Sequence, residues 1–585
     1  MKTGKHACMI MLGCLILTMS FGQAVEIGDL SENPVRFAIL GDRTGGHVEG
    51  IYGKVVAEIE PLKPEFVMTV GDMIEGYETD TSAIIAEWRE YLEIVKPLSM
   101  PIRYTPGNHD ITYDVDEEPY RRFIGEPYYS FDHRGLHLVV LDNSRWDFVE
   151  DLPAEQIDWL IADLTASREA LQTVVFMHKP FWYATVVLNK PDTLHELFRN
   201  FGVDAVFTGH FHEYFSGEYD GILYTSIGSS GAGSHLNDEV IGYHFGWVTV
   251  GGDGITVVPI KMGSVLPWDV ITAEDSYFMS RIERQAITCI EPVPLDPDLK
   301  ILSSSVMVKV VNPSESLMLT DTLRWDIPEN WRVMPPTVPL SVAPGGESTL
   351  TFELMQRSEL YPLPAVSARF PYKAGQAHRV SRDLHVARRA ICACVDERPR
   401  IDGKVTDPCW QGGESLLLDD EGNPAKCDST IFFFAYDDSA LYLAAECYES
   451  VMDSIFDAVD EHDGAVYSED CIGYFFQPDL ERDIIYQVYL NPNGVIFDQS
   501  LAPKEDDYII GDREWNIAPE VAVHRGANFW SVEVRIPLDQ LKATVAAENE
   551  WGLNFRRKQK RLNSAYDWQS PIDYDPATYG RLYFE

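Results

Sequence analysis

Five short apolar runs in the first third of the chain each break at a glycine or histidine and lead straight into metal-binding or acid–base side chains. Residues 35–40 end in Gly41-Asp42, 65–70 in Gly71-Asp72, and 101–106 in Gly107-Asn108-His109-Asp110. Residues 173–177 end in His178-Lys179-Pro180, and 204–208 in Gly209-His210-Phe211-His212. One such break says little, because Asn, His and Asp all favour turns. Repeated, with helical-looking segments between, the runs read as buried strands of an α/β sheet. In such sheets ligands gather outside the carboxyl ends of the strands, where these polar residues converge. Strand ends presenting Asp, Asp, Asn, His and His-x-His describe a metal site.

The alternation extends over residues 33–264. Residues 80–96 and 153–168 have helical apolar spacing, the latter with Pro153 at a first turn. Residues 128–143, and 219–227 followed by 245–260, read as antiparallel. A two-layered α/β sandwich with helices outside is expected. After Pro267 strand alternation takes over and helical spacing is absent, so residues 268–392 read as a small β-sandwich. Residues 379–394 are its last strand or the connection onward. Residues 396–585 are again β-rich and read as a second all-β sandwich. A multidomain fold is required in any case, since 585 residues exceed what one core supports.

The formal net charge of -45 argues against nucleic acid or an anionic membrane surface as partner, since both need a basic footprint. Acidity keeps an exported protein soluble. Residues 1–24 read as a signal peptide: Lys2 and Lys5, an apolar stretch, then Gly22-Gln23-Ala24. No other segment is apolar enough to anchor the chain in a bilayer, so a secreted or periplasmic protein is expected. Of nine cysteines, Cys8 and Cys14 fall in the leader. One or two disulfides in the last third are expected after export.

Asp42, Asp72, Asn108, His178, His210 and His212, in this order, resemble the motif set of the calcineurin-like metallophosphoesterases. The residue types suit the chemistry on their own. Two cations about 3.5–4 Å apart can bind a phosphate oxygen and acidify a shared water. A mixed imidazole and oxygen set suits manganese, iron or zinc better than magnesium or calcium. The resemblance implies two divalent or trivalent ions bridged by Asp72, with Asp42 and His212 on the first and Asn108, His178 and His210 on the second. A bridging hydroxide then attacks phosphorus in line. His109 protonates the leaving alkoxide or stabilises its charge, and Asp110 orients or polarises His109. The pattern departs at Thr44, where the family's Asp-x-His places histidine. His47, Glu75 or water are the candidates to fill that place. For Glu75 a solvated or Arg-paired carboxylate is the leading reading; His47 stays open between ligand and loop residue. Arg43 is a candidate clamp for the substrate phosphate. His137 reads as a strand residue, and His133 and His195 as surface positions. His235 and His244 flank the loop 228–234, read first as a plain loop and second as a pocket wall.

The middle segment resembles immunoglobulin-like modules of exported enzymes, through residues 308–313 and 341–352, and reads as a spacer. The last resembles family-nine carbohydrate-binding modules, through residues 399–404, 407–410, 435–443, 530–537 and 551–557. Trp410, Trp530 and Trp551 read as core, and Trp515 and Trp568 as the better ligand candidates. The leading expectation is an exported phosphomonoesterase or phosphodiesterase whose last module holds polysaccharide or a cell-envelope glycan. The rival is a glycan-binding or adhesion protein with a phosphatase-like domain inactivated through Thr44.

Overall fold

Val35–Leu40 runs parallel to Phe66–Thr69, since both runs are largely apolar and need cover on both faces, and Phe66–Thr69 runs parallel to the short, half-exposed edge Ile102–Arg103. His244–Gly251 and Gly254–Lys261 extend this sheet antiparallel on its other side. A second six-stranded sheet starts with the hairpin Tyr129–His133 and Leu136–Val140. It continues parallel through Gln172–Phe176, Ala205–Thr208 and Ile222–Ser226, with Phe215–Tyr219 at its edge. The two sheets share one core, in which Phe37 stacks on Phe66 at 4.8 Å and meets Phe176 edge-on at 6.2 Å. Helices Ile51–Leu62 and Thr81–Val95 cover the outer face of the first sheet, and Ala154–Ala166 and Thr193–Phe201 that of the second. This is the expected mixed α/β sandwich with helices outside. It places five strand ends along one rim.

This computed structural model describes residues 30–585 except 78–79, 189–191, 234–239, 262, 297, 417, 420–426, 504–508, 542–544, 546–548, 563 and 570–575. The expected leader (1–24) and His235 lie outside the described residues.

Residues after Pro267 are not free of helix, contrary to expectation. Ala273–Gln285 is a helix with a Thr272/Asp275 capping box. Met279 packs into the first domain, while Ile282 packs into the core of the middle unit. Glu283 pairs with His378 at 2.7 Å and Arg382 at 2.9 Å, fastening the helix to the middle unit. That unit holds two four-stranded sheets around one core, with Val308 and Phe352 from one and Leu323 and Phe370 from the other.

The last unit is one continuous sheet, curled so that its two halves face each other across a core in which Phe432 of one meets Phe555 of the other at 4.2 Å. Arg389–Cys394 pairs with Gly580–Phe584 through its first four residues and with Thr430–Tyr436 through its last two. It is therefore the connection onward and belongs to this unit. Trp530 and Trp551 are buried in the core as expected, and Trp410 is also buried. Trp515 and Trp568 are buried too, which removes both as exposed ligand platforms. Trp568 is 0% exposed, stacked on Phe555 at 4.9 Å, with its indole N–H donated to Glu414. Trp515 packs on Tyr486 and donates to the Gln540 carbonyl. The seven cysteines among the described residues are all free thiols, so the expected disulfides are not formed.

Candidate metal centre

Asp42, Asp72, Asn108, His178, His210 and His212 converge on the rim. One ligand atom each from Asp42, Asp72 and His212, and one each from Asp72, His178 and His210, lie within 4.8 Å of one another. Asp72 is common to both groups. Asn108 Oδ1 lies 2.9 Å from His178 Nε2 and 2.9 Å from His210 Nδ1, so the amide joins the second group.

Backbone carbonyls fix the imidazoles. His178 Nδ1–H is donated to Val70 O at 2.7 Å, and His212 Nδ1–H to Gly233 O at 2.7 Å. A carbonyl cannot donate, so Nδ1 of each ring keeps its proton and Nε2 is the atom left for a cation, which on His178 must first displace a proton. His109 follows the same rule, with Nδ1–H on Glu75 O at 2.6 Å.

The strand-end glycines let these loops approach. A Cβ on Gly107 would lie 2.2 Å from Asp72 Oδ1, and one on Gly209 2.8 Å from Asp42 Oδ1. The loop after Ile227 is part of the centre: the N–H groups of Ser230, Gly231 and Ala232 all reach the Asp42 carbonyl. His244 is buried behind it, with Nδ1–H on Gly242 O.

Two carboxylates at 0% and 1% exposure cannot both remain charged cheaply beside one imidazole. Burial, reinforced by Asp72 and opposed by His178, raises the Asp42 carboxyl well above its usual range. For Asp72 burial acts the same way, but His178 and His109 outweigh it and hold it low. Burial disfavours the His178 imidazolium, yet Asp72 and Asp42 hold its pKa up to about 9. Burial, with His178 and Lys179 adding, pushes His210 down to about 3. The protons on Asp42 and His178 are the ones that cations would displace. Two carboxylates, one amide and three imidazoles with shared Asp72 fit a pair of metal ions.

Three expected roles are not met. Arg43 is buried and turned away: its guanidinium donates to Met73 O at 2.9 Å and to Glu90 at 2.5 Å, so it ties its loop to a helix and is no phosphate clamp. Asp110 does not touch the His109 ring. Its carboxylate accepts the N–H groups of Met73, Ile74 and Gly107, and so staples two ligand loops. Its pKa is raised to about 7, chiefly by burial, with Asp72 adding. His195, expected at the surface, is buried against Tyr224 at 2.6 Å. His137 is the strand residue it was expected to be, and His133 is half-buried against Glu65.

Thr44 is fully buried, with its hydroxyl between the carbonyls of Asp72 and Ile74, and is not among the ligands. His47 and Glu75 pair with each other, and neither belongs to the ligand groups found among the described residues.

Two contributors were missed. Tyr77 accepts from Asn108 Nδ2 at 2.8 Å, aiming Oδ1 at the histidines, and its ring meets His109 edge-on at 4.7 Å. Asn143 Oδ1 accepts the N–H groups of His178 and Lys179 and locks their loop. The run 136–141 ends in Asp142-Asn143-Ser144, a sixth break of the same kind, and could have signalled it.

Residues 35–214 match the calcineurin-like phosphoesterase family. Purple acid phosphatase 22 of Arabidopsis thaliana is 29% identical over 206 residues, 31% of this chain and 45% of the relative. The serine/threonine-protein phosphatase CPPED1 of Danio rerio is 27% identical over 213 residues, 32% of this chain and 66% of the relative. The chain thus spans between about half and two thirds of the length of these curated relatives. A family 9 carbohydrate-binding module from Caldicellulosiruptor kristjanssonii in complex with glucose aligns at TM-score 0.26 and 16% identity, over 34% of this chain and 96% of that one.

Proposed function

We propose, from the premise that residues 35–214 form a calcineurin-like metallophosphoesterase domain, that this chain is a metal-dependent phosphoric ester hydrolase acting on a phosphomonoester or phosphodiester. The observation that carries the reading is the sharing of Asp72 between two ligand groups, with His109 presenting Nε2 beside them. Gly45 marks that proximity: a Cβ there would lie 3.0 Å from His212 Nε2 and 3.7 Å from His109 Nε2.

Asp42, Asp72 and His212 would hold one cation, and Asp72, Asn108, His178 and His210 the other, with manganese, iron or zinc suited to this donor set. Such cations, when bound, polarise phosphoryl oxygens and supply a deprotonated water for attack. The chain's own residues do the rest. Tyr77 and the backbone carbonyls hold Asn108 and the imidazoles in position before substrate arrives. His109 commits Nδ1–H to Glu75 O, so any proton it passes to the leaving oxygen travels through Nε2. The leader expected at residues 1–24 supports an exported protein, and no helix among the described residues is long and apolar enough to cross a membrane. Glycan binding by the last unit, and a spacer role for the middle one, complete the reading.

The test is metal content together with hydrolysis of an aryl phosphate and an aryl phosphodiester, for wild type, His109→Ala and Asp72→Asn. Turnover lowered at least about a hundredfold by either substitution, with metal lost only from Asp72→Asn, is expected. Absence of turnover with every metal would leave the rival reading of an inactive domain.

A further inference from the structure

A cleft of about 1070 Å³ opens over the metal centre, and its two walls come from opposite ends of the chain. Tyr77, Asn108, Lys179 and His210 line one wall; Tyr467, Tyr489, Phe497, Gln499 and Arg513 of the last unit line the other. Three contacts hold the walls together. Lys560 Nζ donates to Tyr77 O at 2.7 Å, and Arg513 to Asp147 at 2.7 Å. Tyr113 OH meets Ser468 Oγ at 2.5 Å; the serine gives its own proton to Ala465 O, so the tyrosine donates. Two of these contacts touch the machinery directly. Tyr77 also positions Asn108, and Asp147 also binds Lys179, next to His178, at 2.6 Å.

The far wall has a definite chemistry. Tyr467 and Phe497 meet edge-on at 5.0 Å, and the Arg513 guanidinium lies 5.4 Å from the Phe497 ring. Gln499 donates to Gln487, which is 2% exposed, so the amides are fixed. Asp114 and Asp463 supply carboxylates on either side. Aliphatic lining is confined to Val115, Val459 and two alanines, too little to receive an acyl chain. The lining sets Asp114, Asp147, Asp460, Glu461 and Asp463 against Arg145, Lys179, Arg513 and Arg556, so it holds no excess of positive charge for a nucleic acid or polyphosphate. The exposed Tyr467 ring, backed by the buried Phe497, for C–H groups, with amides, carboxylates and a guanidinium for neighbouring hydroxyls, suits a compact polyhydroxylated ring.

We infer that the alcohol portion of the scissile ester is a sugar, and that Tyr467, Gln499 and Arg513 form its subsite. The last unit is then part of the active centre and not a remote anchor. The inference rests on the phosphoesterase reading. Hydrolysis breaks the phosphorus–oxygen bond to the sugar, joins a water oxygen to phosphorus and returns a proton to the sugar oxygen.

The experiment uses the full manganese-loaded chain, with the 6-phosphates of glucose, mannose and N-acetylglucosamine and with p-nitrophenyl phosphate. The variants are Tyr467→Ala and Gln499→Leu, each checked for an unchanged circular dichroism spectrum. At least one sugar phosphate is expected to bind more tightly than inorganic phosphate by calorimetry. Either variant is expected to lower the ratio of kcat/KM for that sugar phosphate to kcat/KM for p-nitrophenyl phosphate at least tenfold, through KM. An unchanged ratio, or no sugar phosphate binding better than phosphate, overturns the subsite. Absence of turnover on all substrates defeats the phosphoesterase reading instead. Calorimetry then still decides the subsite: tenfold weaker sugar phosphate binding in the variants supports it, and equal binding overturns it.

Discussion

Asp72, His210 and His212 all stand at positive φ, at 54°, 74° and 56°. For residues with a Cβ this costs on the order of 1 kcal/mol each, a cost sustained only where the surroundings over-determine the geometry. Here loops meeting at glycines supply that constraint. Gly107→Ala would place its Cβ 2.2 Å from Asp72 Oδ1, so metal content by mass spectrometry should fall by at least one ion per chain. By contrast His109→Ala should retain its metal while kcat drops by about 10² to 10⁴, the range for losing a general acid. Thr44→Val tests the position where the pattern departs. The hydroxyl pins the carbonyls of Asp72 and Ile74, so its loss should cost about 1–2 kcal/mol in urea denaturation, with metal stoichiometry unchanged. A fall in stoichiometry would show that the Thr44 hydroxyl also holds the Asp72 loop in its metal-binding geometry. The convergence of Asp42, Asp72, His178, His210 and His212 was legible because each follows a strand end, a position that brings side chains to one rim. Arg43 and Asp110 were not, because residue type does not reveal which way a side chain turns: Glu90 and three backbone N–H groups claim them.

Elements that serve one core were legible, and those that serve two were not. The helix Thr81–Val95 buries Ile84, Trp88, Tyr91 and Val95 against a single sheet, and its spacing shows plainly. The helix Ala273–Gln285 buries only Ala273, Ser276, Met279 and Ile282, a thin stripe divided between two domains. Its polar residues are spent on the middle unit through Glu283 and Asp275. Periodicity therefore looked polar where tertiary pairing decided the outcome. The capping box is the part a sequence could have offered, since Thr272 and Asp275 have the right spacing. Thr272→Ala should lower stability by about 1 kcal/mol and Thr272→Ser by much less, measured by chemical denaturation. Equal losses would mean that the threonine methyl, and not the cap, matters. The curled last sheet escaped for a related reason. Alternation identifies strands but is silent on Arg389–Cys394 changing partners midway.

At the scale of the whole molecule, the order of the units along the chain conceals that the third returns to the first. The junction between the middle and last units sets that return. Arg388 N donates to Gln569 Oε1 at 2.9 Å, and its guanidinium to Trp568 O at 2.6 Å. His385 Nε2–H is donated to Tyr579 O at 3.0 Å. Burial, with Arg581 adding and the Tyr579 carbonyl opposing, lowers the His385 pKa from 6.5 to about 4. Between pH 4 and 6.5 the unfolded chain therefore binds the extra proton and the folded one does not, so stability rises with pH across that window. This contribution is complete above pH 6.5 and is lost as the pH falls toward 4, amounting to up to about 3 kcal/mol. Other groups titrate in the same range, so the informative quantity is the difference from His385→Gln, which keeps a donor for Tyr579 O but cannot be protonated. Wild type should lose stability relative to this variant between pH 7 and pH 4 in denaturant melts, and the two should run parallel above pH 7. Curves parallel throughout would show that the His385 ring is hydrated in the folded state. The junction would then set no pH limit on how the last unit closes over the metal centre.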